Sequence, residues 1–364
     1  MTLDSFIGNA DAVKALKGMV STGCIPHAMM LYENDGCGAI ALVQAFLSTL
    51  FADEHKVGGL IHPDVHYVYP VASGSKVSEK TDNLRSELFL PYWRDLVREN
   101  PYALEQEVSS AFGIEGKQTV INNAQAREIL ETVFLSSVEG GYKAVVVYLP
   151  EKMNAAAANK LLKAVEEPPE KTLFLMVTHA PEKVIETTSS RCQMIRVLPN
   201  SREEIAAVLE SVFGKSHEVA LRAASFAGGS VGQALSGMRE SEEAEAQKAL
   251  FGRLMDSVTS RDLYAVMECG DAMAALSSRE KQKAFCKFAG ECLRKIFLIQ
   301  QGLGDMAALS ADESAYYSSL AGKLKKSFPR LAIGCLDRAV MLIDRNVNQK
   351  ILFSEMVGRI YYNS

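Results

Sequence analysis

The sequence predicts an α/β fold followed by an all-helical region. Two runs, at 143–148 and 172–178, are β-rich and almost continuously apolar, as suits central strands of a parallel sheet covered on both faces. Between them, 154–167 is a strong helix former stopped by Pro168 and Pro169, so strand, helix and strand follow in the order of a right-handed βαβ unit. After Pro199 strand signals cease and only helical periodicity remains.

A first strand is expected at 28–32, leading into Glu33-Asn-Asp-Gly-Cys-Gly38 and then a helix with Ile40, Val43, Phe46, Leu47 and Leu50 at three- and four-residue spacing. Residues 72–117 are polar and irregular and hold the only tryptophan, Trp93. They read as an insertion carrying one helix around 88–97. Beyond Pro199, Ser201-Arg-Glu-Glu204 has the capping-box arrangement, and Gly228 and Gly229 separate two short helices. Leu336, Val340, Ile343 and Val347 form one apolar stripe. The domain reading is an α/β domain at 1–198, a small helical lid at 199–243 and a helical domain at 244–364.

With 364 residues, 48% apolar and 23% charged, the chain can bury a core in two or three domains. With a net charge of -5, no domain-wide basic field advertises nucleic acid, so a DNA-binding role would have to be local or shared with partners. The seven cysteines show no CxxC pairing, which suggests reduced thiols. No signal-peptide pattern opens the chain, and no apolar stretch reaches the roughly 18 residues needed to span a bilayer. The expectation is a soluble cytoplasmic protein.

The glycines of a phosphate-binding loop wrap phosphate in backbone N–H groups, and the lysine and hydroxyl that follow hold phosphate and Mg²⁺. Gly36 and Gly38 lie between a strand and a helix as such a loop requires, but Ala39 and Ile40 follow them. A unit charge about 4 Å from phosphate is worth roughly 4 kcal/mol at an effective dielectric near 20, so losing the ammonium weakens binding well over tenfold. Taken alone, this is a plain glycine turn. The acidic pair that would hold Mg²⁺ at the end of a buried strand is also missing: strand 143–148 runs into Leu149 and Pro150, with Glu151 and Lys152 reading as a solvated helix start.

Together with Phe6-Ile-Gly-Asn9, Ile25-Pro-His-Ala28, Ala156-Ala-Ala-Asn-Lys-Leu-Leu-Lys-Ala-Val-Glu-Glu-Pro-Pro169 and Ser190-Arg-Cys192, these features closely resemble the AAA+ clamp-loader family of bacterial DNA polymerase III over the first 240 residues or so. The resemblance implies an AAA+ fold, with a P-loop-type parallel sheet flanked by helices, then a small helical lid and an all-α collar. Motor members of that family keep both boxes intact. Here both are broken while Ser190, Arg191 and Cys192 survive, which implies a subunit that is not an enzyme by itself. Arg191 would be an arginine finger reaching into a neighbour's ATP site, with Ser190 and Cys192 shaping its loop. The ordinary fate of a single arginine is a surface ion pair. Thr178 matches a γ-phosphate sensor position, and its hydroxyl can equally cap the following turn. Gly232 stands where motor subunits carry a lid arginine.

No ATP is expected on this chain, and no zinc, because 51–64 lacks the cysteines of the zinc module that many relatives carry. The implied partners are the motor (gamma/tau) and delta subunits, with the sliding clamp and primer-template DNA reached through the complex. Lys323-Leu-Lys-Lys326 reads as a solvated helix end, with contact to DNA as the alternative. The alternatives are an active ATPase of the same fold, needing another cation in place of lysine, and a helical adaptor with no replication role.

Overall fold

The structure, a computed structural model, describes residues 1–304, 311–345 and 347–364. It divides into two compact units, Met1–Met238 and Arg239–Ser364. The first is built on a parallel sheet of β1 (Ala28–Tyr32), β2 (Val65–Val68), β3 (Lys143–Tyr148), β4 (Thr172–Thr178) and β5 (Gln193–Arg196), in the spatial order β2-β3-β4-β1-β5. The three strands expected from apolar runs are β1, β3 and β4. The last two are buried along their whole length, because helices cover both faces.

Alternate side chains leave the sheet on opposite sides. Met29, Leu31, Val146, Leu175 and Val177 enter one core, with α1 (Ala10–Thr22) and α2 (Ala39–Phe51). The short α3 (Glu54–Gly58) follows, and His62 stacks on Phe51 with ring centroids 4.3 Å apart. The insertion contributes two helices to this side, α4 (Leu90–Glu99) and α5 (Glu105–Phe112), rather than one. Trp93 on α4 is buried, its ring 4.9 Å from Tyr69 and 5.3 Å from Tyr148, so the insertion closes the core. Met30, Val145, Val147, Phe174 and Met176 enter the other core, with α6 (Asn123–Val133) and α7 (Ala155–Glu166). Asn154 caps α7 by accepting the Ala157 N–H at 2.8 Å, and Pro168 and Pro169 prevent its continuation.

A four-residue α8 (Glu186–Ser189) precedes β5. Then come α9 (Arg202–Ser211) and α10 (His217–Ala224), followed by α11 (Val231–Thr259), which runs unbroken across 243–244. Gly228 and Gly229 therefore precede one long helix, since 239–251 holds helix formers and no glycine or proline. The capping box at α9 is present: Ser201 Oγ accepts the Glu204 N–H at 3.1 Å, and Glu204 accepts the Ser201 N–H at 2.7 Å. Ser201→Ala is expected to lower stability by about 1 kcal/mol, read as a denaturant midpoint shift at constant m-value.

The second unit holds α12 (Leu263–Ala274), α13 (Arg279–Gln300), α14 (Ala311–Lys323), α15 (Phe328–Asp344) and α16 (Gln349–Asn363). Its core gathers Phe285, Phe328, Leu336, Ile343 and Phe353, so the stripe read on the last third of the chain faces inward. Among the described residues no helix is long and apolar enough to cross a membrane.

Candidate functional site

The glycine loop connects the end of β1 to α2. Gly36 and Gly38 have φ of 76° and 117°, conformations that a side chain would strain. The first ten residues of α2, Ala39 and Ile40 included, are all buried. A helix that is apolar all round belongs in a core, and lysine at its first turn would need a polar outlet.

Tyr102 and Leu104, in the loop between α4 and α5, and the start of α11 close over this turn. A Cβ built on Gly36 would lie 2.7 Å from both Leu104 Cδ2 and Ser230 Oγ, and one on Gly38 would lie 2.8 Å from Tyr102 Cε1. Gly232 donates its N–H to the Gly36 carbonyl at 3.1 Å, and a Cβ there would lie 2.3 Å from the Tyr102 carbonyl oxygen. The lid-arginine position is thus filled by backbone.

A residue not anticipated from the sequence sits at the centre of the loop. In the pattern G-x-x-x-x-G-K-[ST], Gly38, Ala39 and Ile40 align with the last three positions, and Glu33 then occupies the first glycine. Its carboxylate is buried, and Oε2 accepts the Ala39 N–H at 2.7 Å. The chain's own carboxylate therefore takes the backbone donor at the N-terminus of α2 that a bound phosphate would use.

His179 faces this carboxylate. Its Nε2 lies 3.8 Å from Glu33 Oε1 and 3.6 Å from Asp35 Oδ1, and its Nδ1 lies 3.9 Å from Glu105 Oε2. At these separations the contacts are ion pairs rather than hydrogen bonds. Burial alone would push the imidazole down, but Glu105, Glu33 and Asp35 together raise it to about 10. Glu105 is held down to about 2, chiefly by His179 and, against its burial, also by Lys152. Burial pushes Glu33 and Asp35 up from the usual carboxylate range. So a cation does reach the loop, from β4's end rather than from the loop itself, and it is already engaged by three carboxylates.

Because the folded imidazole titrates near 10 rather than 6.5, its contribution to stability is complete below pH 6.5 and is lost as pH rises through about 10. The melting temperature is expected to fall across that interval, and His179→Gln to flatten the fall; an unchanged slope would place the loss elsewhere.

Thr178 ends β4 fully buried. Its hydroxyl donates to Glu151 Oε2 at 2.8 Å and accepts the Ala180 N–H at 3.1 Å. Glu151 also accepts the His179 N–H at 3.0 Å, and Lys152 pairs with Glu105. Both residues, read from the sequence as a solvated helix start, are instead tied into this polar cluster. Leu149 is buried in a left-handed conformation, φ 56°, strain of about 1–3 kcal/mol where an Mg²⁺-binding carboxylate would stand. Pro150 beside it is also buried. Around the loop, four carboxylates (Glu33, Asp35, Glu105 and Glu151) outnumber the two cations His179 and Lys152, and both cations are already paired with carboxylates. Among the described residues no group of three or more His, Cys, Asp or Glu could hold a metal ion.

Arg191 lies elsewhere. It precedes β5, and β5 runs parallel to β1 with Gln193 beside Met29 and Arg196 beside Tyr32. The glycine loop leaves the C-terminal end of β1, so Arg191 sits beyond the opposite, N-terminal end of the sheet. The strand between spans about 13 Å at roughly 3.3 Å per residue. The side chain is exposed, with Nη2 at 2.6 Å from Glu166 Oε1 and Nη1 donating to the Thr187 carbonyl at 2.6 Å. Ser190 is exposed and its N–H closes α8 on the Glu186 carbonyl at 2.9 Å. Cys192 is half-buried, its Sγ 3.3 Å from the Thr188 carbonyl, and burial pushes the thiol up to about 11, away from nucleophilic reactivity.

The sequence model of the family described as DNA polymerase III, delta subunit, matches residues 8–201, more than half of the chain. The DNA polymerase III subunit delta' of Escherichia coli K12 is 28% identical over 248 residues, covering 68% of this chain and 71% of the relative. That of Yersinia pestis is 31% identical over 182 residues, 49% of this chain and 44% of its own. A Thermotoga maritima protein related to the DNA polymerase III gamma subunit overlays 96% of this chain and 99% of its own with TM-score 0.35 at 15% identity. The family match spans the whole parallel sheet, the glycine loop and the Ser190–Arg191–Cys192 turn, and the chain belongs to the DNA polymerase III delta subunit family.

Proposed function

We propose that the chain serves as the delta-prime-type subunit of a bacterial replicative clamp loader, binding no nucleotide itself and presenting Arg191 in trans to the ATP site of an adjacent motor subunit. The observation that carries this reading is the polarity of the sheet. Arg191 and the chain's own glycine loop lie at opposite ends of parallel strands, so the guanidinium has no phosphate of its own to serve. Guanidinium is permanently charged, planar and bidentate, suited to charge developing on a transferring phosphoryl group. The sealed loop supports the other half of the proposal, because Glu33 already occupies the Ala39 N–H and the lid packs against Gly36.

Under this reading the helical C-terminal unit assembles with motor (gamma/tau) and delta subunits, and sliding clamp and primer-template DNA are reached through the complex. The competing reading, an active ATPase using His179 in place of lysine, is favoured only by the nearness of that cation to the loop. Hydrolysis by a loader assembled with Arg191→Ala tests the first reading. Saturable binding of ATP by the isolated chain would support the second.

A further inference from the structure

We propose that Glu166 is a resting partner for Arg191, a positioning residue that sets how often the guanidinium is free to reach a neighbouring nucleotide; this rests on the trans-finger reading above. Glu166 is the last residue of α7, fixed there because Pro168 and Pro169 end the helix two positions later. Its Oε1 lies 2.6 Å from Arg191 Nη2. The carbonyl of Thr187, on α8, takes Nη1 at 2.6 Å. Both terminal nitrogens of the guanidinium are thus directed into the chain's own surface.

Bidentate recognition of a phosphoryl group uses the same fork of N–H donors. The two states therefore exclude each other: Arg191 is either held by Glu166 and Thr187 or turned outward. The Thr187 carbonyl is backbone and cannot be removed by a side-chain change, whereas the Glu166 carboxylate supplies the negative charge in the resting contact. Glu166 and Arg191 side chains are each 38% exposed, so water and salt screen the pair and exchange between the states is cheap. A resting state of this depth lowers the fraction of competent finger, and with it the apparent engagement, by a small factor.

The test is single-turnover hydrolysis by reconstituted loaders carrying the wild-type chain, Glu166→Gln, Arg191→Ala or both changes. Glu166→Gln keeps size and helix propensity and removes the charge. It is expected to raise the rate by about two- to fivefold, with the gain shrinking as salt is added. The same change in the Arg191→Ala background is expected to do nothing, which a merely structural role for Glu166 would not produce. Equal rates for Glu166→Gln and wild type, or an equal gain with and without Arg191, overturn the resting-partner assignment while leaving the finger standing. A loader indifferent to Arg191→Ala removes the finger itself, and the resting partner with it.

Discussion

Arg191→Ala, in a loader otherwise intact, is expected to slow hydrolysis at the adjoining motor site by about 10³-fold or more, the lower end of what fingers supplied in trans contribute elsewhere. Steady-state turnover of a loader with several motor sites would conceal much of this, because the other sites continue. The measurement is therefore single-turnover hydrolysis under conditions that isolate the site beside this chain. Arg191→Lys keeps the charge but loses the planar fork, and is expected to recover only a small part of the rate. Folding offers no competing explanation for such a loss. The Arg191–Glu166 pair is exposed and contributes about 0–1 kcal/mol, so the melting temperature of the isolated chain should barely move. An unchanged rate at that site would sink the trans-finger proposal, whatever the state of the glycine loop.

The parts of this architecture that were legible in the sequence are those where burial is continuous. β3 and β4 are covered on both faces and read as unbroken apolar runs. β5 does not, because only Ile195 of its four residues is buried, and the edge strand β2 is interrupted by half-buried His66. The missing lysine and hydroxyl at Ala39 and Ile40 could be read directly. The carboxylate at the first glycine position was equally visible as a letter, but not its destination: that depends on a left-handed loop turning Glu33 back onto the Ala39 N–H. Glu151 misled for a similar reason, since its partner Thr178, distant in sequence, ends the neighbouring strand β4. Tyr102, Leu104 and Glu105 sit in a stretch with no readable periodicity, and only the fold brings them to the loop. The placement of Arg191 at the far end of the sheet follows from strand direction alone, once β5 is known to pair with β1.

Restoring lysine and threonine at positions 39 and 40 is expected not to create a nucleotide site. The new ammonium would find Glu33 within the same turn and pair with it, leaving the backbone donor of residue 39 still taken. An ammonium cancelled in this way no longer supplies the roughly 4 kcal/mol that a unit charge about 4 Å from phosphate is worth at an effective dielectric near 20, close to 10³-fold in affinity, all of it lost to the charge on Glu33. Adding Glu33→Gly removes that charge and completes the glycine pattern. The triple variant should then bind fluorescent ATP about 10³-fold more tightly than Ala39→Lys/Ile40→Thr, which should show no saturation into the millimolar range. The triple variant should still not hydrolyse, because Leu149 and Pro150 offer Mg²⁺ no carboxylate. Micromolar binding by the double variant would show that lysine alone was missing, and that the buried carboxylate is not what keeps phosphate out. If the triple variant gains the affinity, two separable features of the proposed silent loop keep nucleotide out: the absence of an ammonium at position 39 and the Glu33 carboxylate on the Ala39 N–H.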